Sequence, residues 1–231
     1  MLAALLLQAD TIGSLSETAT KSDGTVTHFF DLAMKGGWIM IPLLFLSLVA
    51  VFIFFDRFFA LKKAGKTDDN FLTTIKNEIL RGNVAGAMAL ARNQDNPTAR
   101  MLEKGISRIG RPMSDVNSAI ELVGNLEISK LEKGLPVLAS VAGGAPMIGF
   151  LGTVIGMIQA FFDMASAGSN VNVSLLSSGI YQAMVTTVAG LTVGIIAYFA
   201  YNILVAKVEK VVFKMENATS EFMDLLNEPL K

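Results

Sequence analysis

Several uncharged polar side chains lie inside long apolar stretches of this chain. Those that could do chemistry include Thr153, Gln182, Thr186 and Thr187. Hydroxyl and amide groups donate and accept hydrogen bonds, but they do not bind and release protons near neutral pH. An amide without a partner in hydrocarbon costs several kcal/mol, so we expect Gln182 to face protein, a cavity or the lipid headgroups. These groups predict a hydrogen-bonding lining and not a titrating centre.

Small residues accompany the threonines at helical spacing in SVAGGAPMIGFLGTVIGMIQAFF and in GIYQAMVTTVAGLTVGIIAYFAYN. On one face, the first stretch places Ala145, Gly149, Thr153, Gly156 and Ala160. The second stretch does the same with Gly179, Ala183, Thr187, Gly190 and Gly194. GxxxG pairs are formed by Gly152 with Gly156 and by Gly190 with Gly194. Helices in lipid associate through close backbone approach, which small residues permit, so we expect both faces to be buried in protein.

Thr153 and Thr187 share these faces with the glycines, so we interpret them as lining a helix interface or a polar lumen. Thr186 has two interpretations. It lines the same lumen, or its hydroxyl bonds to a carbonyl of its own helix while the side chain faces a neighbour.

The chain has three long stretches without charge, which we call windows, and the two faces lie within two of them. The chain has 231 residues, of which 52% are hydrophobic and 17% charged, which is too apolar for a typical soluble domain. No charged residue lies within 38–55, 135–162 or 164–206. About 20 apolar residues span a bilayer as a helix, and AGSNVNVS predicts a short loop. We expect an all-α integral membrane protein with transmembrane helices over 37–56, 135–163 and 175–206 and a loop over 164–174.

Positive charges predict the orientation of these helices. Of nineteen Lys and Arg residues, thirteen lie within 57–133 and four follow Ala206, whereas none lies between the second and third helices. Because basic loops stay in the cytoplasm, we expect long cytoplasmic helical extensions over 57–134 and 207–231. Residues 1–36 and 164–174 are then periplasmic, with a segment ahead of the first helix on the membrane surface. Whether residues 1–9 are cleaved stays open.

The pattern of 57–134 indicates consecutive helices. Arg81-Gly82-Asn83 predicts a break between two of them, and Pro97 predicts the start of another. Ser114 resembles the N-cap of an amphipathic helix that continues without a linker into the second window, bent at Pro136 or Pro146. Charged residues of that helix, Glu127 and Lys130 among them, could act as gating charges, but we interpret them as a solvated face with ion pairs three or four residues apart.

Other residue types are missing, which excludes several classes of function. There is no Cys, His28 is the only histidine, and the spans hold no activated nucleophile or paired acid and base. We therefore expect the protein to bind no metal and no cofactor and not to be an enzyme. A net charge of −1 does not favour binding to nucleic acid.

Because 135–162 and 164–206 hold no acidic or basic residue, proton conduction would need a titrating group from another chain. A non-conducting membrane scaffold that clusters partners is the alternative from a different class.

Five stretches resemble the MotA/TolQ/ExbB proton-channel family, and its ExbB branch in particular. They are KGGWIMIPLLFLSLVAVFIFFDR, PTAR, AIELVGNLEISKLEKGL, AGGAPMIGFLGTVIGMIQAF and GIYQAMVTTVAGLTVGIIAYFAYN. The resemblance implies a homo-oligomeric ring, a pentamer, in the bacterial inner membrane. It also implies an ExbD-like single-span partner whose aspartate titrates inside the ring. With a TonB-like protein, the assembly would use the proton-motive force for outer-membrane uptake of iron complexes or vitamin B12.

The resemblance also implies roles for individual residues. Thr153 and Thr187 match pore-facing threonines, and Thr186 and Gln182 are further candidates for the proton pathway. Small residues that match the pore lining are Ala145, Gly149, Gly152, Gly156, Ala183, Gly190 and Gly194. Many ExbB and TolQ sequences carry Glu in place of Gln182, so the role of an ionisable group does not transfer to it. A TolQ-like role in envelope maintenance, a MotA-like stator role and coupling to Na⁺ stay open.

Overall fold

The computed structural model describes residues 36–66, 70–166 and 173–227, and every regular element in these ranges is an α-helix. The helices are α1 Met40–Ala64, α2 Phe71–Leu80, α3 Val84–Arg92, α4 Pro97–Ile106, α5 Met113–Glu132, α6 Leu135–Ser166 and α7 Val173–Asn227. The segment predicted to lie on the membrane surface and most of the loop predicted after α6 fall outside the described residues. The predicted all-helical class is confirmed.

Three helical stretches are long and apolar enough to cross a membrane. They are Met40–Ala64, Met113–Ser166 and Leu176–Asn227. On α1 many large apolar side chains are exposed, with Ile41 at 71% and Phe52 at 72%, as suits a surface that faces lipid or another apolar chain. The helix α1 continues past its uncharged window to Ala64, and α7 runs without a break through residue 206. Apolar and polar segments are therefore parts of the same helices.

The helices α5 and α6 are separated at Lys133 and Gly134. Gly134 has φ +86°, in the left-handed region that favours glycine, and it ends the hydrogen-bonded run of α5. The prediction of one continuous helix bent at Pro136 or Pro146 is therefore wrong. Pro136 lies in the first turn of α6, where a missing N–H costs little, and Pro146 lies inside that helix.

Asparagine side chains fix the starts of two short helices. Asn83 and Asn96 each accept a hydrogen bond from the backbone N–H three residues further on, at 3.0 and 2.7 Å. These N-caps satisfy donors that have no partner within the helix. The predicted break at 81–83 and the predicted helix start at Pro97 are confirmed. Ser114 is not an N-cap, because α5 begins one residue earlier.

The described chain forms two compact units. One consists of residues 36–44, 146–166 and 173–191, and the other consists of 45–66, 70–145 and 192–227. In the first unit Ala160, Ala183 and Thr186 are at most 2% exposed, so small side chains fill its interior. Large apolar side chains fill the interior of the second unit. They include Ile75, Leu102, Ile106, Ile120, Met215 and Phe222.

Candidate functional site

In the first unit the backbones of α6 and α7 approach so closely that a methyl group would not fit between them. A Cβ atom built on Gly149 would lie 2.9 Å from the carbonyl oxygen of Thr186 and 3.0 Å from the Cα atom of Gly190. Because these neighbours are backbone atoms, no rotamer change could make room. We call this contact the small-residue interface. It is formed by Gly149, Gly152, Gly156, Ala160, Gly179, Ala183, Thr186, Thr187 and Gly190.

Two threonines of α7 direct their hydroxyls at one carbonyl of α6. Thr187 Oγ1 donates a hydrogen bond to the Gly149 carbonyl oxygen at 3.1 Å. Thr186 Oγ1 donates to the Ala183 carbonyl at 2.7 Å and lies 3.5 Å from the same Gly149 oxygen. Thr186 therefore bonds within its own helix while it faces a neighbouring helix, as in the second interpretation. A place for it in a lumen stays a prediction. A hydrogen bond between membrane helices contributes only about 0.6 kcal/mol on average, so close packing matters more here.

Thr153 lies apart from this pair. It is half-buried, and its hydroxyl donates to the Phe150 carbonyl at 2.6 Å within α6. Its neighbour Gly152 faces α7 instead, where a Cβ atom would lie 2.7 Å from the Thr186 Cβ. The structure thus joins Thr186 and Thr187 to Gly149 but does not bring Thr153 to them. A pore role for these threonines stays a prediction.

The small residues singled out in the sequence are almost all buried within the chain. Buried positions are Ala145, Gly149, Gly152, Ala183, Gly190 and Gly194, and Gly156 is half-buried. Burial against the chain's own helices explains why these positions are small. Their contribution to a pore lining stays a prediction as well.

A polar cavity of about 240 Å³ adjoins the small-residue interface in the first unit. Its lining includes Gln159, Asp163, Ser178, Gln182 and Thr186. The turn that precedes α1 lines the same cavity through Gly36 and Trp38. The Gln182 amide lies so close to Gly37 that any Cβ atom there would collide with it, and Gly37 has φ +70°. Gln182 is thus placed at a cavity, one of the three environments predicted for it.

Asp163 is the residue of this cavity that sequence reasoning missed. It separates the two uncharged windows 135–162 and 164–206, so it was counted in neither. In the structure it lies in the last turn of α6, where Gln159 Nε2 donates to its Oδ1 at 2.9 Å. The available signal was that a single carboxylate stands within 134–206, a stretch that is otherwise without charge.

Charged side chains connect the helices of the second unit. Glu127 accepts hydrogen bonds from Arg100 at 2.7 Å and from Lys130 at 2.6 Å, although its side chain is only 5% exposed. Arg100 also pairs with Asp95, which accepts a hydrogen bond from Lys63 at 2.8 Å. The predicted pairing of Glu127 with Lys130 is therefore present, but Glu127 is not part of a solvated face.

This ion-pair network shifts two pKa values. Hydrogen bonds from Lys63 and Arg100, reinforced by their charges, hold the pKa of the Asp95 carboxyl below its ordinary value. Burial would lower the pKa of the Arg100 guanidinium, but the hydrogen bonds and charges of Glu127 and Asp95 raise it overall. Both groups are therefore fully charged around neutral pH, and the network can link α1, α4 and α5.

The apolar helices, the small-residue interface and the polar cavity define a multi-span α-helical membrane protein. Among the described residues there is no group of three His, Cys, Asp or Glu side chains that could hold a metal ion. A family model described as the MotA/TolQ/ExbB proton channel family matches residues 93–217. The chain belongs to this family, and the family expected from the sequence is confirmed.

Individual relatives carry ExbB and TolQ names. The chain is 27% identical over 194 residues to a biopolymer transport protein ExbB homolog of Methanothermobacter thermautotrophicus, covering 84% of this chain and 67% of that protein. It is 36% identical over 109 residues to the Tol-Pal system protein TolQ of Haemophilus influenzae, covering 47% of each. Identity to the biopolymer transport protein ExbB of Xanthomonas campestris pv. campestris is 30% over 109 residues, covering 47% of this chain and 43% of that protein.

Proposed function

We propose that this chain is the channel-forming subunit of a proton-driven motor of the ExbB/TolQ type. The observation that carries the proposal is the chemistry of residues 134–206, where threonines and glycines form a close helix interface and Asp163 is the only acidic or basic residue. Hydroxyls can hydrogen-bond to water, but they cannot relay a proton across a bilayer. Asp163 lies in the last turn of α6, at the end of that span, so the group that titrates within the membrane is proposed to come from another chain.

The assembly proposed here is a homo-oligomeric ring, a pentamer, around the membrane helix of an ExbD-like or TolR-like partner. The partner supplies an aspartate, and Thr153, Thr186, Thr187 and Gln182 supply hydrogen bonds along its path. The exposed apolar surface of α1 supports insertion in a bilayer. Lys62 and Lys63 in the last turn of α1 support an orientation with that end in the cytoplasm of a bacterial cell and the N-terminus in the periplasm.

Proton flow through this assembly would drive movement of the ring against its partner. An elementary charge that crosses about 100 mV releases about 2.3 kcal/mol, and a pH gradient adds to this. A few protons therefore supply enough free energy for a conformational change that reaches a TonB-like or TolA-like protein. Hydroxyls at fixed positions would keep the path hydrated without trapping the proton.

The test is proton flux into liposomes that contain the ring copurified with its single-span partner. We expect Thr153→Val combined with Thr187→Val to abolish flux while the ring stays assembled. Thr219→Val is the matched control, because the Thr219 hydroxyl bonds to the Met215 carbonyl of α7 at 2.9 Å and lies in the second unit. Unchanged flux in the double variant would refute the proton pathway. A working assembly without any flux would favour the scaffold.

The choice between an ExbB-like and a TolQ-like role needs a cellular measurement. Relatives of both names each match 109 residues of this chain, at 36% identity for TolQ and 30% for ExbB. We propose the ExbB-like role, in which loss of the gene lowers uptake of iron complexes through the outer membrane. Normal uptake together with increased sensitivity to detergent would assign the TolQ-like role instead.

A further inference from the structure

We infer that the cavity at the end of α6 is a binding site for a small monovalent cation, with Asp163 as its charged ligand. The cation would be a hydrated proton or a sodium ion, which share a preference for oxygen ligands. This inference rests on the proposed function, since the site would collect the ion that the channel conducts. Asp163 would concentrate cations at the mouth of the pathway and would not carry them across the membrane.

The charge of the cavity supports a cation. Asp163 is the only charged residue among the described residues that line it. It also stands in the last turn of α6, which contains no basic residue. A helix C-terminus carries a partial negative charge of its own, so a carboxylate there is unfavourable unless a positive group offsets it. Two negative features therefore coincide at one end of a cavity.

The lining also offers the neutral oxygen atoms that a hard cation prefers. Gln159 uses its amide nitrogen to donate to Asp163 Oδ1, which leaves its carbonyl oxygen as an acceptor. Gln182 and Ser178 place a second amide and a hydroxyl on the same lining. A volume of about 240 Å³ holds several water molecules, so the ion could keep part of its hydration shell.

One structural alternative must be distinguished from a cation site. The helix α7 begins at Val173, and the positive end of a helix dipole can stabilise a nearby carboxylate. If the start of α7 neutralised Asp163, the cavity would have little net negative potential. The electrostatic potential inside the cavity therefore distinguishes a cation site from a carboxylate that is offset by the dipole of α7.

Single-cysteine labelling measures that potential without relying on ion transport. The chain has no cysteine, so Ser178→Cys places one thiol on the cavity lining. The ring in liposomes is treated with two membrane-impermeant methanethiosulfonates of similar size, one with a trimethylammonium group and one with a sulfonate group. The ratio of their rates cancels the intrinsic reactivity of the thiol. If Ser178→Cys does not assemble, Gln182→Cys serves the same purpose.

We expect the cationic reagent to react about tenfold faster than the anionic one, because the low-dielectric protein around a cleft focuses the field of a single charge. Adding Asp163→Asn should lower the ratio severalfold, and Asp163→Glu should restore it. The matched control is Asp224→Asn, an exposed carboxylate on α7 in the second unit. A ratio that Asp163→Asn leaves unchanged, or a thiol that neither reagent reaches, would overturn the inference.

Flux measurements then identify the cation and test the link to transport. In the complete complex, Asp163→Asn should reduce flux severalfold at low cation concentration and less at high concentration. A reduction of proton flux in sodium-free buffer identifies the hydrated proton, and a reduction seen only with sodium present identifies Na⁺. Flux that is unaffected in both buffers would overturn the inference. If the unsubstituted complex conducts no ion, the proposed function fails, and the labelling ratio still decides whether the cavity attracts cations.

Discussion

The interiors of the two units of this chain are packed in different ways. In the first, α6 and α7 touch through glycine, alanine and threonine, and backbone atoms lie within 3.0 Å of where a Cβ of Gly149 would be. In the second, large side chains such as Phe222 and Leu102 are at most 2% exposed, and ion pairs connect the helices around them. Adding atoms should therefore damage the first unit, whereas removing atoms should damage the second.

The difference follows from what surrounds each set of helices. Lipid is as apolar as leucine, so helices inside a bilayer gain little from burying large side chains and associate through close backbone contact. Water around the polar helices makes the burial of apolar surface favourable. The small-residue interface and the buried side chains around Phe222 are thus both close-packed contacts. The first suits helices surrounded by lipid, and the second suits helices surrounded by water.

The largest expected effect is loss of the aromatic ring of Phe222, which is 2% exposed on α7. Phe222→Ala should lower the free energy of unfolding by about 3–5 kcal/mol, because it removes buried surface and leaves a cavity. Denaturant unfolding of the solubilised protein, followed by circular dichroism, measures this. Phe213→Ala on the same helix is the control, since Phe213 is 70% exposed. Equal losses for the two variants would contradict the comparison.

The next effect comes from one added methyl group in the first unit. Gly149→Ala should cost about 1–3 kcal/mol by overpacking, and it should weaken the α6 to α7 contact. Gly143→Ala on the same helix is the matched control, because a Cβ atom there has no heavy atom within 4 Å. Thermal unfolding in detergent compares the two. A stable Gly149→Ala variant would show that the interface is not close-packed.

A smaller effect is expected from the ion-pair network. Arg100→Met should lower the free energy of unfolding by about 1–2 kcal/mol, because Glu127 stays buried with Lys130 as its remaining donor. Lys63→Met removes a solvent-exposed pair with Asp95 and should lower the free energy of unfolding by clearly less. If both variants lost the same amount, burial of Glu127 would not matter.

The hydroxyl of Thr187 should contribute still less. Thr187→Val removes the hydrogen bond to Gly149 but keeps the shape of the side chain, so a loss of about 0.6 kcal/mol is expected. Gly149→Ala at the same contact should cost more. A reversal of that order, measured in the same unfolding experiment, would show that hydrogen bonding and not close approach holds the first unit together.

The smallest effect is one of pH. The pKa of Asp95 is held below its ordinary value of 3.8, so the stability from its ion pairs is present above 3.8 and is lost as the pH falls through the lowered value. The melting temperature should therefore exceed that of Asp95→Asn near neutral pH, and the difference should shrink only in acid below 3.8. A difference that vanished already in weak acid would contradict the pairing.

Sequence patterns predicted the parts of the structure that depend on local geometry. The three apolar helical stretches, the helix boundaries at Arg81-Gly82-Asn83 and Pro97, and the glycine faces follow from helical periodicity and turn chemistry. The break at Gly134 did not, because the apolar pattern continues across it while the backbone turns left-handed. The hydrogen-bond partner of each threonine could not be predicted from the sequence either, because it depends on the rotation of α6 against α7.

Asp163 shows a second limit of sequence reasoning. A single carboxylate at the last position of a predicted helix does not indicate a cavity, and only the packing of α6 with α7 and with the turn before α1 places it beside one. The buried position of Glu127 is similar, since its neighbours in sequence are polar and its partner Arg100 lies on another helix. Both depend on contacts between distant segments.

The central claim is that this chain supplies a hydroxyl-bearing ring and that a second protein supplies the acid that titrates in the membrane. The most direct test is proton flux into liposomes containing the purified ring, with and without its single-span partner. We predict no selective proton current from the ring alone, a current when the partner is present, and its loss when the partner's membrane Asp is replaced by Asn. A robust, selective proton current from the ring alone would contradict the claim.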